Sequence, residues 1–215
     1  MTAVLADRLR AGVQELGLAL DEDQLARLLD FQSLLQKWNK VYNLTAVRDP
    51  GEMLTHHLLD SLAAVAPLKR HLAQRGGTRL LDVGSGGGLP GVVFAICCPD
   101  LDVSCVDTVA KKAAFIQQAA AALGLKNLHG IHARVETLVG PFDVVSCRAF
   151  AALQDFTAWS RAALAPQGVW LAMKGKRPDE EIAALPAGVE LFHVEQLAVP
   201  GLDAERCICW LRPVA

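Results

Sequence analysis

From Leu81 to Gly91 the chain reads Leu-Asp-Val-Gly-Ser-Gly-Gly-Gly-Leu-Pro-Gly, with five glycines among the eight residues 84 to 91. Glycine takes positive φ without strain and puts no Cβ between the backbone and a ligand. Where a strand passes into a helix, such a run suits a loop that cradles a bound molecule beneath the free N–H groups of the helix. A tight turn alone would account for one or two of these glycines. Gly86, Gly88 and Gly91 fit the G-x-G-x-x-G pattern of dinucleotide-binding loops, whereas Asp82, Gly84, Gly86 and Gly88 fit the acid-x-G-x-G-x-G pattern of S-adenosylmethionine enzymes. The glycines do not separate the two ligands. The carboxylate of Asp82 favours the second, because it suits the cationic methionine end of the methyl donor and opposes a nearby pyrophosphate.

Three further positions could complete such a site. Asp107, 19 residues after Gly88, ends the next strand, where the ribose hydroxyls of either cofactor need an acceptor. With Thr108 it also fits the start of the following helix. Ala133-Arg134-Val135-Glu136 occupies the loop that would border an adenine ring, and Arg148, in Ser146-Cys147-Arg148-Ala149-Phe150, is the polar group expected in the pocket. No Asp-Pro-Pro-Tyr or Asn-Pro-Pro-Tyr stretch of adenine amino-methylation is present. The Pro-Cys pair of cytosine-carbon methylation is missing too, so Cys147 reads as a packed thiol rather than a nucleophile.

The elements that must hold these residues follow from periodicity. Residues 4 to 75 read as helices: Leu28, Phe31, Leu35, Trp38 and Tyr42 recur at helical spacing after the capping candidate Asp21. Asp49-Pro50-Gly51-Glu52 supplies a cap, a first-turn proline and a capping-box acid for a helix over His56 to Val65. After Gly76-Gly77 short apolar runs alternate with helical segments, the pattern of βαβ units and a parallel sheet. Seven strands are expected, over Arg79 to Val83, Leu101 to Val106, Leu128 to His132, Phe142 to Ser146, Val169 to Lys174, Glu190 to Ala198 and Arg206 to Arg212. Helices should begin near Leu89, Ala110, Ala152 and Pro178. The reading is thus an α/β chain with a helical extension over residues 1–75 and a mostly parallel seven-stranded core over residues 76–215, forming one compact unit.

At 215 residues and 52% hydrophobic composition the chain can bury a full core, and nothing in it points to disorder. Its longest apolar candidate, Leu89 to Cys98, contains Pro90 and Gly91 and falls short of the roughly 18 residues a membrane span needs. Asp7, Arg8 and Arg10 interrupt any signal-like N-terminal stretch, so the protein is expected to stay in the cytoplasm with its six cysteines reduced. Net charge is -2, yet it is uneven: residues 31 to 80 carry seven Lys or Arg against three acids. Such a surplus suits phosphate contact.

The chain resembles the bacterial small-subunit ribosomal RNA guanine-N7 methyltransferases, the RsmG or GidB family. The resemblance lies in Trp38-Asn39-Lys40-Val41-Tyr42-Asn43-Leu44-Thr45, His57-Leu58-Leu59-Asp60-Ser61-Leu62, the glycine loop from Asp82 to Gly91, Ser146 to Phe150 and Lys174-Gly175-Lys176, and covers nearly the whole chain. It implies a class I methyltransferase fold with an N-terminal helical extension, S-adenosylmethionine as cofactor, and methylation of a guanine in the 530 loop of 16S ribosomal RNA, free or in the small subunit. A monomer is favoured and no membrane is involved. Carried over by motif, the cofactor contacts are Gly84 and Leu89 in the loop, Val135 and Glu136 after the third strand, and Arg148 after the fourth; Gly86, Gly88 and Asp107 join them by the general rules above. Gly87 stands where many relatives have proline.

Guanine N7 has an in-plane lone pair and no proton, so attack on a sulfonium methyl needs alignment and desolvation and no catalytic acid or base. His56, His57 and Asp60 lack a further ligand for a metal, and methyl transfer from a sulfonium requires none. Lys40, Arg148, Lys174, Lys176 and Arg177 are the candidate RNA contacts, expected to join the surplus of residues 31 to 80 in one basic surface around the cofactor mouth. A dinucleotide-dependent oxidoreductase and a non-catalytic S-adenosylmethionine sensor are the competing readings.

Overall fold

Apolar residues recur every three or four positions through the first third of the chain, and the computed structural model, which describes residues 2–214, folds this part as helices. α1 spans Thr2–Glu15 and α2 spans Glu22–Tyr42. A capping box starts α2: Asp21 Oδ1 accepts from the Gln24 N–H at 2.8 Å, and Gln24 Oε1 accepts from the Asp21 N–H at 3.1 Å. Asn43, left-handed at φ 50°, ends it. The side chain of Asn39 then braces the connecting loop, accepting from the Thr45 N–H at 2.9 Å and donating to the Val47 carbonyl at 3.3 Å.

The helix expected over His56 to Val65 starts earlier and is irregular. Asp49 caps α3 (Pro50–Met53), a π-helical stretch follows over Leu54–Leu59, and α4 (Asp60–Leu62) closes it before α5 (Val65–Arg75). Stretches of π-helix commonly accompany functional sites. Here the widened turns carry His56, His57 and, just after them, Asp60 to the wall of a cavity.

Seven strands form one sheet in the order β3-β2-β1-β4-β5-β7-β6. They are β1 (Arg79–Val83), β2 (Asp102–Asp107), β3 (Leu128–His132), β4 (Phe142–Arg148), β5 (Leu164–Lys174), β6 (Val189–Leu197) and β7 (Arg206–Pro213). Only β7 runs against the rest, pairing antiparallel with both β5 and β6. The largest departure from expectation is β5, which begins at Leu164 instead of Val169. A register shift between Phe142 and Val144 of β4 absorbs Pro166 and Gly168. β4 also runs two residues past Ser146, as far as Arg148, and β2 includes Asp107.

α6 (Gly91–Cys97) and α7 (Ala110–Leu123) cover one face of the sheet, α8 (Leu153–Trp159) and α9 (Asp179–Ala183) lie toward the other. Leu28, Phe31 and Leu54 of the extension pack in the same apolar cluster as Phe94 of α6 and Phe115 of α7. All six cysteines are free and buried. Burial pushes the thiol of Cys97 up to about 12 and that of Cys147 beyond the physiological range, as expected for packing residues. No helix among the described residues is long and apolar enough to cross a membrane.

Candidate functional site

Sheet register decides which residues meet. Val83 of β1 lies beside Val106 of β2 and Cys147 of β4, so the next residues, Gly84, Asp107 and Arg148, emerge side by side at the carboxyl edge. The strand order reverses between β1 and β4, and an open α/β sheet binds its ligands at the crevice such a reversal leaves. The glycine loop leaves β1 with Gly84, Gly86 and Gly88 at φ of 64°, 56° and 81°. Asp107, buried, holds that loop: Oδ2 accepts from the Gly86 N–H at 3.1 Å and Oδ1 from the Val109 N–H at 2.9 Å.

A cleft of about 380 Å³ opens there. Gly84, Asp107, Val135 and Glu136 share its lining with Phe150 and Trp159. The Phe150 ring lies directly against Gly84, at a point where any Cβ would collide with it. The bareness of Gly84 therefore serves the packing of Phe150, while the buried Asp107 carboxylate in the wall fits the free hydroxyls of a ribose, so Asp107, with Val135 and Glu136 beside it, could hold S-adenosylmethionine. Glu136 is exposed and paired with Arg134 at 2.7 Å, which holds its carboxyl below the ordinary range.

The other loop positions do different work. A Cβ on Gly88 would meet Val92 and Ile116 within 2.7 Å, so its bareness serves the packing of the loop on α6 and α7. Leu89 is in the apolar core. Asp82 corrects the sequence reading: it does not face a cationic ligand but turns inward, fully buried. It accepts from Ser146 Oγ at 2.8 Å and from the Gly91 N–H at 3.0 Å. Burial pushes its carboxyl up to about 7 against those two bonds and the Arg148 charge. The periodicity that placed Asp82 in a strand carried no information on which way the strand's last turn would face.

Arg148 lines a second cavity, of about 510 Å³, between the helical extension and the carboxyl edge of the sheet. Its Nη1 donates to Asp60 Oδ2 at 2.7 Å and to the His56 carbonyl at 3.0 Å. Arg206, from the start of β7, donates through Nε to Asp60 Oδ1 at 2.8 Å. Buried Asp60 therefore engages two arginines, from the end of β4 and the start of β7, with both oxygens. His57 Nε2 lies 2.8 Å from Thr45 Oγ1, and burial together with Arg148 lowers the imidazole to about 4. Ala149, left-handed at φ 52°, borders both the cleft and the cavity. A non-glycine residue held in that conformation marks a site of local strain.

Asp60 and His57, and their partners Arg148 and Thr45, stand in motifs singled out above, but Arg206 does not: it lies 146 positions from Asp60. The basic residues scatter. Lys174 is half-buried, with Nζ bound to Glu181 at 2.7 Å and to the Ala151 carbonyl at 3.0 Å. Arg177 pairs with Asp179, while Lys40 and Lys176 are exposed. The single basic surface expected from residues 31 to 80 does not form: Lys40 lies at the end of α2, whereas Arg79 binds the Pro141 carbonyl and Arg75 lies near Pro166 and Gly168, at the amino edge of the sheet. α5 runs down the sheet and carries its charges away from the cleft.

Residues 24–209 match the family model described as rRNA small subunit methyltransferase G, GidB. A protein of Acidovorax sp. (strain JS42) called ribosomal RNA small subunit methyltransferase G is 80% identical over 96% of this chain and 95% of its own. Its namesake from Paracidovorax citrulli is 72% identical over 97% and 90%. Among solved structures, a SAM-dependent methyltransferase from Leishmania major superposes with a TM-score of 0.60 at 18% identity, over 85% of this chain and 82% of that one. The ribosomal protein L11 methylase of Lactobacillus delbrueckii subsp. bulgaricus gives 0.54 at 13%, over 73% and 79%. At such identities these two speak for the fold, the class I methyltransferase sheet.

Proposed function

Because the chain belongs to the small-subunit ribosomal RNA methyltransferase G family, with S-adenosylmethionine as its cofactor, we propose that it methylates N7 of a guanine in the 530 loop of 16S ribosomal RNA. One observation carries the reading: a cleft suited to a nucleoside and a larger cavity with two arginines in its wall meet at Ala149, so a donor in one lies next to an acceptor in the other.

S-adenosylmethionine supplies a methyl group activated on a sulfonium. In this reading Asp107 accepts hydrogen bonds from ribose hydroxyls, Gly84 lines the cleft beneath the Phe150 ring, and Val135 and Glu136 border the base. Arg148 and Arg206, fixed by Asp60, present their remaining N–H groups to the acceptor nucleotide. N7 brings its own lone pair and loses no proton, and His57, lowered to about 4, is neutral at cellular pH. Alignment in a dry site can supply about 7–11 kcal/mol in favourable cases, so the transfer requires no general base. The exposed Lys40 and Lys176 are the proposed phosphate contacts, with Arg177 and Lys174 already paired to acids. The place of action is the cytoplasm, where small subunits are made.

Labelled methyl transfer to small-subunit RNA from cells lacking the enzyme, mapped by nuclease digestion, tests this. Label on 7-methylguanosine in the 530 loop is the expected result. Label on another atom or another loop would overturn the assignment.

A further inference from the structure

We infer that Glu52 reads the acceptor base: its carboxylate accepts hydrogen bonds from N1–H and the N2 amino group of the guanine lodged in the 510 Å³ cavity. This rests on the guanine-N7 reading above. The cavity has two walls, one from the helical extension and one from the sheet's carboxyl edge. On both walls most charged groups already have partners. Asp60 uses both oxygens on Arg148 and Arg206, and Lys174 is bound to Glu181. His57 is bound to Thr45. Glu52 is exposed, lines the same cavity, and has no ion-pair partner among the described residues. Its backbone N–H donates to the capping Asp49 Oδ1 at 2.9 Å, so the start of α3 does not depend on the Glu52 side chain.

An acceptor-only carboxylate selects among the bases. Guanine alone presents two adjacent donors on its Watson–Crick edge; adenine, cytosine and uracil each set a ring or carbonyl acceptor beside their donor, which a carboxylate would repel. The guanidinium N–H groups of Arg148 and Arg206 on the other wall complement the remaining acceptor, O6. The edge bearing N7 is opposite the one Glu52 would hold, so a base read by the extension would turn N7 toward the sheet edge, where Ala149 adjoins the cofactor cleft. The reaction adds a further reason. As the methyl group leaves sulfur for N7, the positive charge passes from the sulfonium to the purine and no proton moves. The N1–H of the charged purine is a stronger donor, so the bond to Glu52 tightens as the methyl group is transferred and favours the transition state over bound substrate.

The test compares RNA carrying guanosine or inosine at the target position; inosine keeps N7, O6 and N1–H and lacks the N2 amine. Single-turnover rates are measured at saturating RNA and cofactor for wild type, Glu52→Gln and Glu52→Ala, with S-adenosylmethionine affinity as the check on folding. Wild type should methylate inosine about tenfold more slowly than guanosine. Glu52→Ala should slow guanosine by about ten- to a hundredfold, in line with the discrimination typical of one bidentate contact, and should lose the inosine penalty. Cofactor affinity should be unchanged. A Glu52→Ala enzyme that keeps the wild-type ratio of guanosine to inosine overturns the inference while leaving the guanine-N7 reading standing. Failure of wild type to place any methyl on N7 of the guanosine RNA overturns both.

Discussion

Asp107 is the residue whose two proposed duties can be separated. Its carboxylate already holds the Gly86 and Val109 N–H groups, so it shapes the glycine loop before any ribose arrives. Asp107→Ala should weaken S-adenosylmethionine binding by about 1.5–3 kcal/mol, the range for hydrogen bonds to a charged group, and calorimetry would read it. Unchanged affinity would leave Asp107 a loop brace only. Two other buried groups oppose each other with pH. Asp82 is raised to about 7, so the folded state holds its proton more tightly than the unfolded chain, and its contribution to stability is lost as pH rises from about 4 to about 7. His57 is lowered to about 4, so the unfolded chain binds the proton more tightly, and its contribution is lost as pH falls from about 6.5 to about 4. The slopes offset each other across nearly the same window. Relative to wild type, His57→Gln should gain stability on acidification and Asp82→Asn should lose it; denaturant titrations at pH 4.5 and 7 giving parallel curves for all three would refute both assignments.

At the scale of elements, the glycine loop combines positions with different reasons for lacking a Cβ. At Gly86 the nearest obstacle to a Cβ is the Gly84 carbonyl at 3.8 Å, so the cost of a side chain there is the positive φ itself. Gly86→Ala should therefore lower stability by about 1–2 kcal/mol, the penalty for an L-residue in the left-handed region. Gly91→Ala should cost more, since its Cβ would run into Cys105 Sγ and the Asp82 carboxylate. Urea unfolding of the two variants gives the order directly, and equal losses would mean that the loop conformation is wrongly understood. The π-helical turn and Ala149 are the counterpart on the other cavity: the first delivers His56, His57 and Asp60 to its wall, the second sets the boundary between donor and acceptor spaces.

For the whole molecule, the distribution of charge decides where RNA can lie. Exposed Lys176 follows the carboxyl end of β5 and exposed Lys40 lies in the last turn of α2, before the loop whose Val47 lines the cavity, and each should contribute about 0.7–0.9 to the log-log salt dependence of RNA binding. Replacing either with Gln should flatten the slope by nearly one unit. Lys174→Gln should leave the slope nearly unchanged, because Glu181 already neutralises that ammonium, and Arg75→Gln at the amino edge should do the same. Binding isotherms at several salt concentrations, with cofactor affinity measured in parallel, check all four. A drop for Arg75 as large as that for Lys40 would mean that RNA covers the opposite edge of the sheet.

Local pattern and chemistry were enough to read the helices of the extension, the seven strands, the glycine loop and the place of Asp107 at the end of β2, because each depends on periods of two or 3.6 residues or on backbone freedom encoded at one position. The neutral packing of the cysteines follows from the same local signals. Three features depend on chain segments far apart in sequence and took the tertiary structure to decide. Asp82 points inward because Ser146, on the neighbouring strand, and Gly91 supply its hydrogen bonds. Arg148 leaves the cofactor cleft for the second cavity because Asp60, 88 positions earlier, draws it there. The basic residues divide between the two edges of the sheet because α5 runs from one to the other, a direction set by how the extension packs in a core shared with α6 and α7, on which the spacing of charges along the chain is silent.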